Sequence, residues 1–393
     1  MDYQIKNGRL VIVLPDRIDS ECSEQVENGI RQILLQQPGM PLTLDAEELR
    51  YISSSGLRVL MRLLKDGQKD LTVINVCSEV YEIFDVTGMD ALMKVEKRMR
   101  CVDVADCPVI GEGAFGSVYR LDRDTVVKVY RNGEDSLPII RDEIDKARQA
   151  FISGVPTAIP FDVVNVGDQY GAVMEMIDAQ NCNNLLVNGQ VGLDALIPRY
   201  AAFLKTLHGI EDVTGRLPAA RDIYLKNLSD YADCLKKDVY ERLRELLESM
   251  PEDRHILHGD AQLKNVLVSS GEMMVIDMNL ICTGSPVFEF ASLFATYVAF
   301  NEDDPDDTLK FLGIGKEDAY RLFLGTLVSY LGDPHREALE RARLKIRTLG
   351  YLRFLTILTL ELKDIHSPLK DLQILHASGH LEELSQQVKE LTI

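Results

Sequence analysis

The sequence predicts a multidomain protein: a small α/β domain, then a larger α+β unit whose strand-rich part precedes a helix-rich part. Three observations carry this. The chain has 393 residues, enough for two or three domains at roughly 100–200 residues each. Its first hundred residues alternate short apolar runs with amphipathic stretches. From about residue 109 strand-like runs cluster first, and helical periodicity dominates afterwards.

Taken in order, RLVIVLP (9–15), PLTLD (41–45) and LTVINV (71–76) are rich in Val, Ile, Leu and Thr and read as strands. Between them Val26, Ile30, Ile33 and Leu34, and then Leu57, Leu60, Met61 and Leu64, recur at helical spacing. Residues 94–108 are basic and weakly patterned, a connector, so a first domain is expected over 1–98 with a linker over 99–108. Next, PVIGEGAFGSVYR turning into TVVKVY reads as a hairpin, 135–152 as a helix, and 161–166 and 171–177 as strands, which makes 109–177 the strand-rich part. The remainder, 178–393, reads as mainly helical, interrupted by ILHGDAQLKNVLVSSGEMMVIDMN, where SSGE supplies a turn between two apolar runs.

Composition narrows the function. Hydrophobic residues make up 46% and charged residues 27%, an ordinary globular balance that excludes disorder as a description of the whole. The formal charge is −19, most of it after residue 100, whereas nucleic-acid backbones and anionic membranes recruit clustered Lys and Arg, so neither is an expected partner. No apolar run reaches the roughly 20 residues of a membrane span. FEFASLFATYVAF (288–300) is too short and carries Glu289. The opening MDYQIKNGRL lacks the apolar core of a signal peptide, and the seven scattered cysteines form no C-x-x-C pair, so a reducing, cytoplasmic setting is expected.

The sharpest motif is IGEGAFGSVYR, with Gly111, Gly113 and Gly116 in G-x-G-x-x-G register and Ser117 next. Glycine admits close backbone approach and positive φ, so such a turn can lay amide N–H groups over phosphate oxygens. A dinucleotide fold needs these glycines between a strand and a helix. Here they lie between two strand-like runs, and the competing reading is an ordinary glycine-rich hairpin. Lys128 in TVVKVY tips the balance, because an ammonium flanked by Val127 and Val129 on a buried strand needs a counter-charge or a phosphate. In the next helix Ile140, Ile144, Ala147 and Phe151 form an apolar stripe with Glu143 beside it, while Asp142 and Asp145 fall toward solvent. Glu143 is therefore the expected ion-pair partner, against the alternative of a solvated helix glutamate. LHGDAQLKNVL then holds Asp260 and, five residues on, Asn265, and an apolar strand leads to Asp277. A carboxylate can position and deprotonate an attacking hydroxyl, while Asn265 and Asp277 offer the oxygen ligands that Mg²⁺, a hard cation, prefers. Any one of these is also a good turn residue; their joint order points to phosphoryl transfer.

On these residues the chain from about 107 to 393 resembles the aminoglycoside and choline phosphotransferase branch of the protein-kinase-like superfamily. A β-rich N-lobe followed by a helical C-lobe is the order of that bilobal fold. HGD at 258–260, in place of HRD, matches the branch, and IDMNLICTGSPVFEFASL resembles its I-D-W…G-x-P…D-x-A signature, with Gly284 and Pro286 present. Met278 stands where Trp is frequent and Glu289 where Asp is usual, and the full glycine motif with Phe115 and Val118 is closer to protein kinases. The resemblance implies ATP as donor with Mg²⁺, Asp260 as catalytic base, Lys128 on the nucleotide phosphates with Glu143 as its partner, and Asn265 and Asp277 as metal ligands. It further implies a nucleotide site at Gly111, Gly113, Gly116 and Ser117, with backbone groups of Glu175 and Met176 at the adenine edge, and makes His208 a structural buttress. Only about ten residues separate Asp277 from the helical run near Phe288, and no A-P-E follows, which leaves no room for a peptide-positioning segment and favours a small hydroxylated substrate.

In the first domain, Ser53, Ser54, Ser55 and Gly56 open the helix that carries Leu57. Serine is a good N-cap, and a helix start also tolerates a phosphoserine through its free N–H groups and dipole. Residues 1–98 resemble a STAS domain of the anti-sigma-factor-antagonist type, whose pattern here is D-S-S-G-L. Aligned on Gly56 and Leu57, the serine phosphorylated in that family falls on Ser54 and its aspartate on Ser53. Ser54 is thus a phosphosite or a cap. Three functions compete: a small-molecule kinase with a regulatory or partner-binding STAS domain, a serine kinase acting on its own or a partner's STAS domain at Ser54, and a nucleotide-binding signalling scaffold. An anti-sigma-like protein is the expected partner of the STAS domain.

Overall fold

A computed structural model of the chain describes residues 1–393 apart from Asn7, Gln68, Lys69, 113–115 and Asn132, and only the backbone of Glu134 and Asp135. Two units emerge, Met1–Val102 and Asp103–Ile393, each with its own apolar core.

The first unit is a five-stranded sheet, β1 (Tyr3–Lys6), β2 (Arg9–Val13), β3 (Leu42–Asp45), β4 (Thr72–Val76) and β5 (Lys94–Lys97), in that spatial order. β1 and β2 form an antiparallel hairpin, and all later pairings are parallel. Strand register and alternation put Leu10, Ile12, Leu42, Leu44 and Val73 on one face of the sheet, and they are all fully buried in the core of this unit. Three helices cross over, α1 (Ser23–Gln36), α2 (Ser54–Lys65) and α3 (Ser78–Val86). The sequence reading held neither α3 nor β5. The segment 94–108 had been expected as connector, yet Lys94–Lys97 pairs in parallel with β4, because the alternation Lys94-Val95-Glu96-Lys97 suits an edge strand that faces water.

The second unit begins with an antiparallel sheet: β6 (Val109–Glu112), β7 (Gly116–Arg120), β8 (Thr125–Tyr130), β9 (Pro160–Val166) and β10 (Gln169–Glu175), in spatial order β9-β10-β8-β7-β6. Helix α4 (Leu137–Ile152) interrupts it. α4 buries Ile140, Glu143, Ile144, Ala147 and Ala150, while Phe151, expected in the apolar stripe, is 46% exposed. The 100° turn per residue places Ala150, not Phe151, in the buried stripe.

The rest is helical, as the bilobal kinase-like order requires: α5 (Leu193–Leu207), α6 (Val287–Phe294), α7 (Lys316–Leu331), α8 (Arg336–Thr356) and α9 (Pro368–Gln387) are its principal helices. A hairpin of β11 (Val266–Ser269) and β12 (Glu272–Val275) is set into it. Ser270 and Gly271 both adopt positive φ in its two-residue turn, the geometry whose twist matches antiparallel strands. α6 is buried on all sides and packs on α8, where a Cβ at Gly350 would come within 2.4 Å of the Phe294 ring. Among the described residues no helix is long and apolar enough to cross a membrane.

Candidate active site

Lys128 lies on β8 in the middle of the sheet, its side chain 12% exposed between the buried Val127 and Val129. Its Nζ meets Glu143 Oε1 at 2.8 Å and Oε2 at 3.1 Å, and Asp277 Oδ1 at 3.4 Å. Burial works against the ammonium, but the carboxylates of Asp277 and Glu143 outweigh it and lift its pKa above the ordinary lysine value. Tyr130, two residues on and therefore on the same face of β8, donates its hydroxyl to Glu143 Oε2. Burial, with Glu143 beside it, holds that phenol far above its usual pKa, so it stays a donor. Sequence reading missed Tyr130, although the i+2 spacing from Lys128 was available.

The glycine loop is met in part. A Cβ on Gly116 would fall 1.9 Å from Val129 O, so the hairpin itself demands glycine there, whereas at Gly111 it would make only ordinary contact with Val118. Ser117 pairs across with Glu112 and Val129. Gly113 lies outside the described residues. The two residues expected to read adenine through their backbone have their N–H groups committed: Glu175 donates to Ile159 O at 2.9 Å and Met176 to Asp124 O at 2.8 Å. Only their carbonyls are left for such a task, because β10 continues its hydrogen bonding through this point. The next N–H, of Ile177, makes no bond among the described residues.

The loop 258–265 is held from beneath. Glu289, on α6 and fully buried, accepts the backbone N–H of His258 (2.7 Å) and Gly259 (3.1 Å) on Oε2 and that of Ala261 (3.1 Å) on Oε1. Burial opposes its charge, yet the nearby His208 and His258 and these N–H donors hold its carboxyl down at about 2. His208 Nε2 stands 3.6 Å from Glu289 Oε2, and its Nδ1 lies 3.1 Å from the Tyr330 hydroxyl. His258 Nε2 meets Ile276 O at 2.9 Å, tying the loop to the strand that leads to Asp277. Gly259 has φ +81°, and a Cβ there would sit 2.4 Å from Leu280 O, so only glycine fits.

Asp260 projects from this scaffold. Asn265 Nδ2 donates to Asp260 O at 2.9 Å and to Asp260 Oδ2 at 3.0 Å, leaving the amide oxygen of Asn265 without a hydrogen bond among the described residues. Asp260 keeps some surface open, yet burial pushes its carboxyl up to about 7; Arg353 opposes this, and the charges of Asp277, Glu289 and Glu361 add to it. Arg353, near the end of α8, pairs with Glu361 across a π-type turn, Ile357–Glu361.

Asp277 has φ 69° and ψ 75°, a left-handed conformation that costs a non-glycine residue about 1–2 kcal/mol. Its Oδ1 accepts from Asn279 Nδ2 at 2.7 Å as well as facing Lys128, while Oδ2 makes no hydrogen bond among the described residues. Both unengaged atoms, on Asp277 and Asn265, are oxygens of the kind a hard divalent cation takes as ligands. Oxygen donors of this kind suit Mg²⁺ better than zinc, and no cluster of three His, Cys, Asp or Glu able to hold a metal occurs among the described residues.

Two separate stretches of the chain match known families. Residues 1–95 match a STAS domain of the Mlab type. Over 83 residues the chain is 29% identical to BtrV of Bordetella bronchiseptica, named as an anti-sigma factor antagonist; the match covers 20% of this chain and spans 64% of that relative's length. Among solved structures, a choline/ethanolamine kinase family protein from Mesorhizobium loti aligns with 71% of this chain and 92% of its own, at 15% identity and TM-score 0.46. An aminoglycoside phosphotransferase from Streptomyces rimosus aligns with 70% and 99%, at 16% identity and TM-score 0.40. Residues 106–323, more than half of the chain, match the phosphotransferase enzyme family. With a STAS domain ahead of that region, the chain belongs to the phosphotransferase enzyme family.

Proposed function

We propose that this phosphotransferase moves the γ-phosphate of ATP, with Mg²⁺, to a hydroxyl of a small molecule, and that its STAS domain is a regulatory or docking module. One observation carries the reading: the buried Lys128–Glu143 pair meets Asp277, while Asp260 stands on a separately braced loop with its carboxyl near neutrality. A base with such a pKa is substantially ionised at neutral pH and still basic enough to take a proton.

In this mechanism Lys128 neutralises nucleotide phosphate charge, held in place by Glu143 and through it by Tyr130. Asp277 and Asn265 would hold Mg²⁺, which when bound offsets charge on the phosphate chain. Asn265 Nδ2 fixes Asp260 Oδ2, so that Oδ1 is free to orient the acceptor hydroxyl and accept its proton. Catalysis is then mostly positioning and electrostatics. The test is to incubate full-length protein with Mg·ATP and a panel of amino sugars, choline-like alcohols and sugars, reading product by mass. Wild type is expected to phosphorylate a member of the panel and Asp260→Ala none; wild-type turnover by that variant overturns the mechanism.

A second reading has its own observation. Ser53, not Ser54, is the N-cap of α2, accepting from Ser55 N at 3.2 Å and Gly56 N at 3.5 Å. Ser54 is exposed and its hydroxyl makes no hydrogen bond among the described residues, which favours it as a phosphate acceptor. Incubation with ATP followed by intact-mass measurement tests this. A gain of one phosphate that Ser54→Ala abolishes supports it, and an unchanged mass on wild type and on an added STAS partner removes it. A nucleotide-binding scaffold without turnover is the weakest reading, since Asp260, Asn265, Asp277 and Lys128 are all retained.

A further inference from the structure

The Lys128–Glu143 pair uses one residue of α4, but a second lysine on the same side of that helix has no part in the chemistry above. Lys146 follows Glu143 by three residues, so the two side chains leave neighbouring positions on the helix. Lys146 Nζ donates to the backbone oxygen of Asn279 at 3.1 Å and pairs with Asp142 at 2.7 Å. Asn279 in turn donates its side-chain amide to Asp277 Oδ1 at 2.7 Å, the oxygen that faces Lys128. Helix α4 thus reaches Asp277 by two routes, one through Glu143 and Lys128 and one through Lys146 and Asn279. The second route answers a specific need. Asp277 is held in a left-handed backbone conformation that an aspartate leaves when its neighbours allow it, and a change of φ and ψ there would re-aim the carboxylate.

We propose that Lys146 is a positioning residue for Asp277, fixing through Asn279 which carboxylate oxygen is presented to the metal; this rests on the metal-dependent phosphotransfer reading above. Lys146 contacts neither nucleotide nor metal in this scheme. Its effect is on where Asp277 Oδ2 points, so it governs metal affinity rather than the proton transfer at Asp260. The tether borders a cavity of about 610 Å³ lined by Asp142, Lys146, Gln149, Arg216 and Leu280 among others. A neutral side chain at position 146 therefore opens onto solvent-sized space instead of creating a sealed void.

The experiment measures Mn²⁺ binding to full-length protein saturated with ADP, by electron paramagnetic resonance, together with the Mg²⁺ dependence of turnover. For Lys146→Met the expected result is Mn²⁺ affinity lower by about ten-fold, as for other residues that orient metal ligands. The Mg²⁺ concentration for half-maximal rate should rise in parallel, with kcat at saturating Mg²⁺ within about two-fold of wild type. Lys146→Arg, which keeps a donor, should restore most of the affinity, and Asp142→Asn, which removes only the outer partner, should leave it unchanged. Asn279→Ala should reproduce the loss and by itself carries the test should Lys146→Met fail to fold; the double variant should be no worse than either alone. Unchanged Mn²⁺ affinity in both single variants overturns the tether while leaving the metal site standing. Wild-type protein that binds no Mn²⁺ with ADP overturns the metal site itself and the tether with it.

Discussion

Asp260 is the residue on which pH acts most directly. Its carboxyl titrates near 7 in the folded chain because burial disfavours the anion, against an ordinary value of 3.8. As the base proposed above it would work ionised, so kcat/KM should rise with pH through about 7 as a single ionisation, and Asp260→Asn should lose about 10²- to 10⁴-fold in rate. The same shift has a stability consequence of definite sign. The folded state holds this proton more tightly than the unfolded one, so the stability linked to it is fully present below pH 3.8 and is lost as pH rises through 7. Urea unfolding of Asp260→Asn should therefore show a gain over wild type at pH 8 that shrinks toward pH 5. Lys128, Asp260, Asn265 and Asp277 were all legible in the sequence because short runs of fixed spacing carry them. Tyr130 was missed although its i+2 spacing from Lys128 puts it on the same face of β8, and the role of Glu289 was hidden because its backbone partners lie about 30 residues away.

At the scale of elements, α6 anchors the loop 258–265 through Glu289. Glu289 was visible in the sequence only as a glutamate where an aspartate is usual; its three backbone partners appear once α6 is packed under the loop. Because its folded pKa, about 2, lies below the ordinary 4.5, its contribution is present above pH 4.5 and is lost as pH falls through 2. Glu289→Gln presents an N–H to backbone donors and should destabilise the chain by about 3–5 kcal/mol in urea unfolding, with turnover lost alongside. Helix α2 offers a sharper comparison, because the serine triplet divides its labour. Ser53→Ala removes the cap and should cost about 1 kcal/mol. Ser54→Ala, one residue on and exposed, should stay within about 0.5 kcal/mol of wild type, so a large loss there would show that Ser54 is structural after all.

At the scale of the whole molecule, the two units have separate cores, and the fragment Met1–Val102 encloses one of them completely. That fragment should fold by itself and unfold cooperatively in urea, with far-UV circular dichroism and near-UV signals changing together. The charge of −19 bears on recruitment at this scale: a polyanionic nucleotide gains nothing from bulk charge here, so in the proposed function its binding would rest on local groups, Lys128 and a cation at Asp277 and Asn265 among them. The sequence by itself determined the two-part architecture, because apolar periodicity is a local property, and it determined the order of the candidate site residues, because each motif is contiguous. Only the tertiary structure decided that Lys94–Lys97 is an edge strand beside β4, that the Glu175 N–H is spent on Ile159 O and the Met176 N–H on Asp124 O, that Ser53 rather than Ser54 caps α2, that Glu289 braces the loop 258–265 and that Lys146 reaches the Asn279 carbonyl. Those outcomes depend on hydrogen bonds between backbone and side-chain groups far apart in the chain, and neither composition nor spacing encodes which donor reaches which acceptor until the elements are packed.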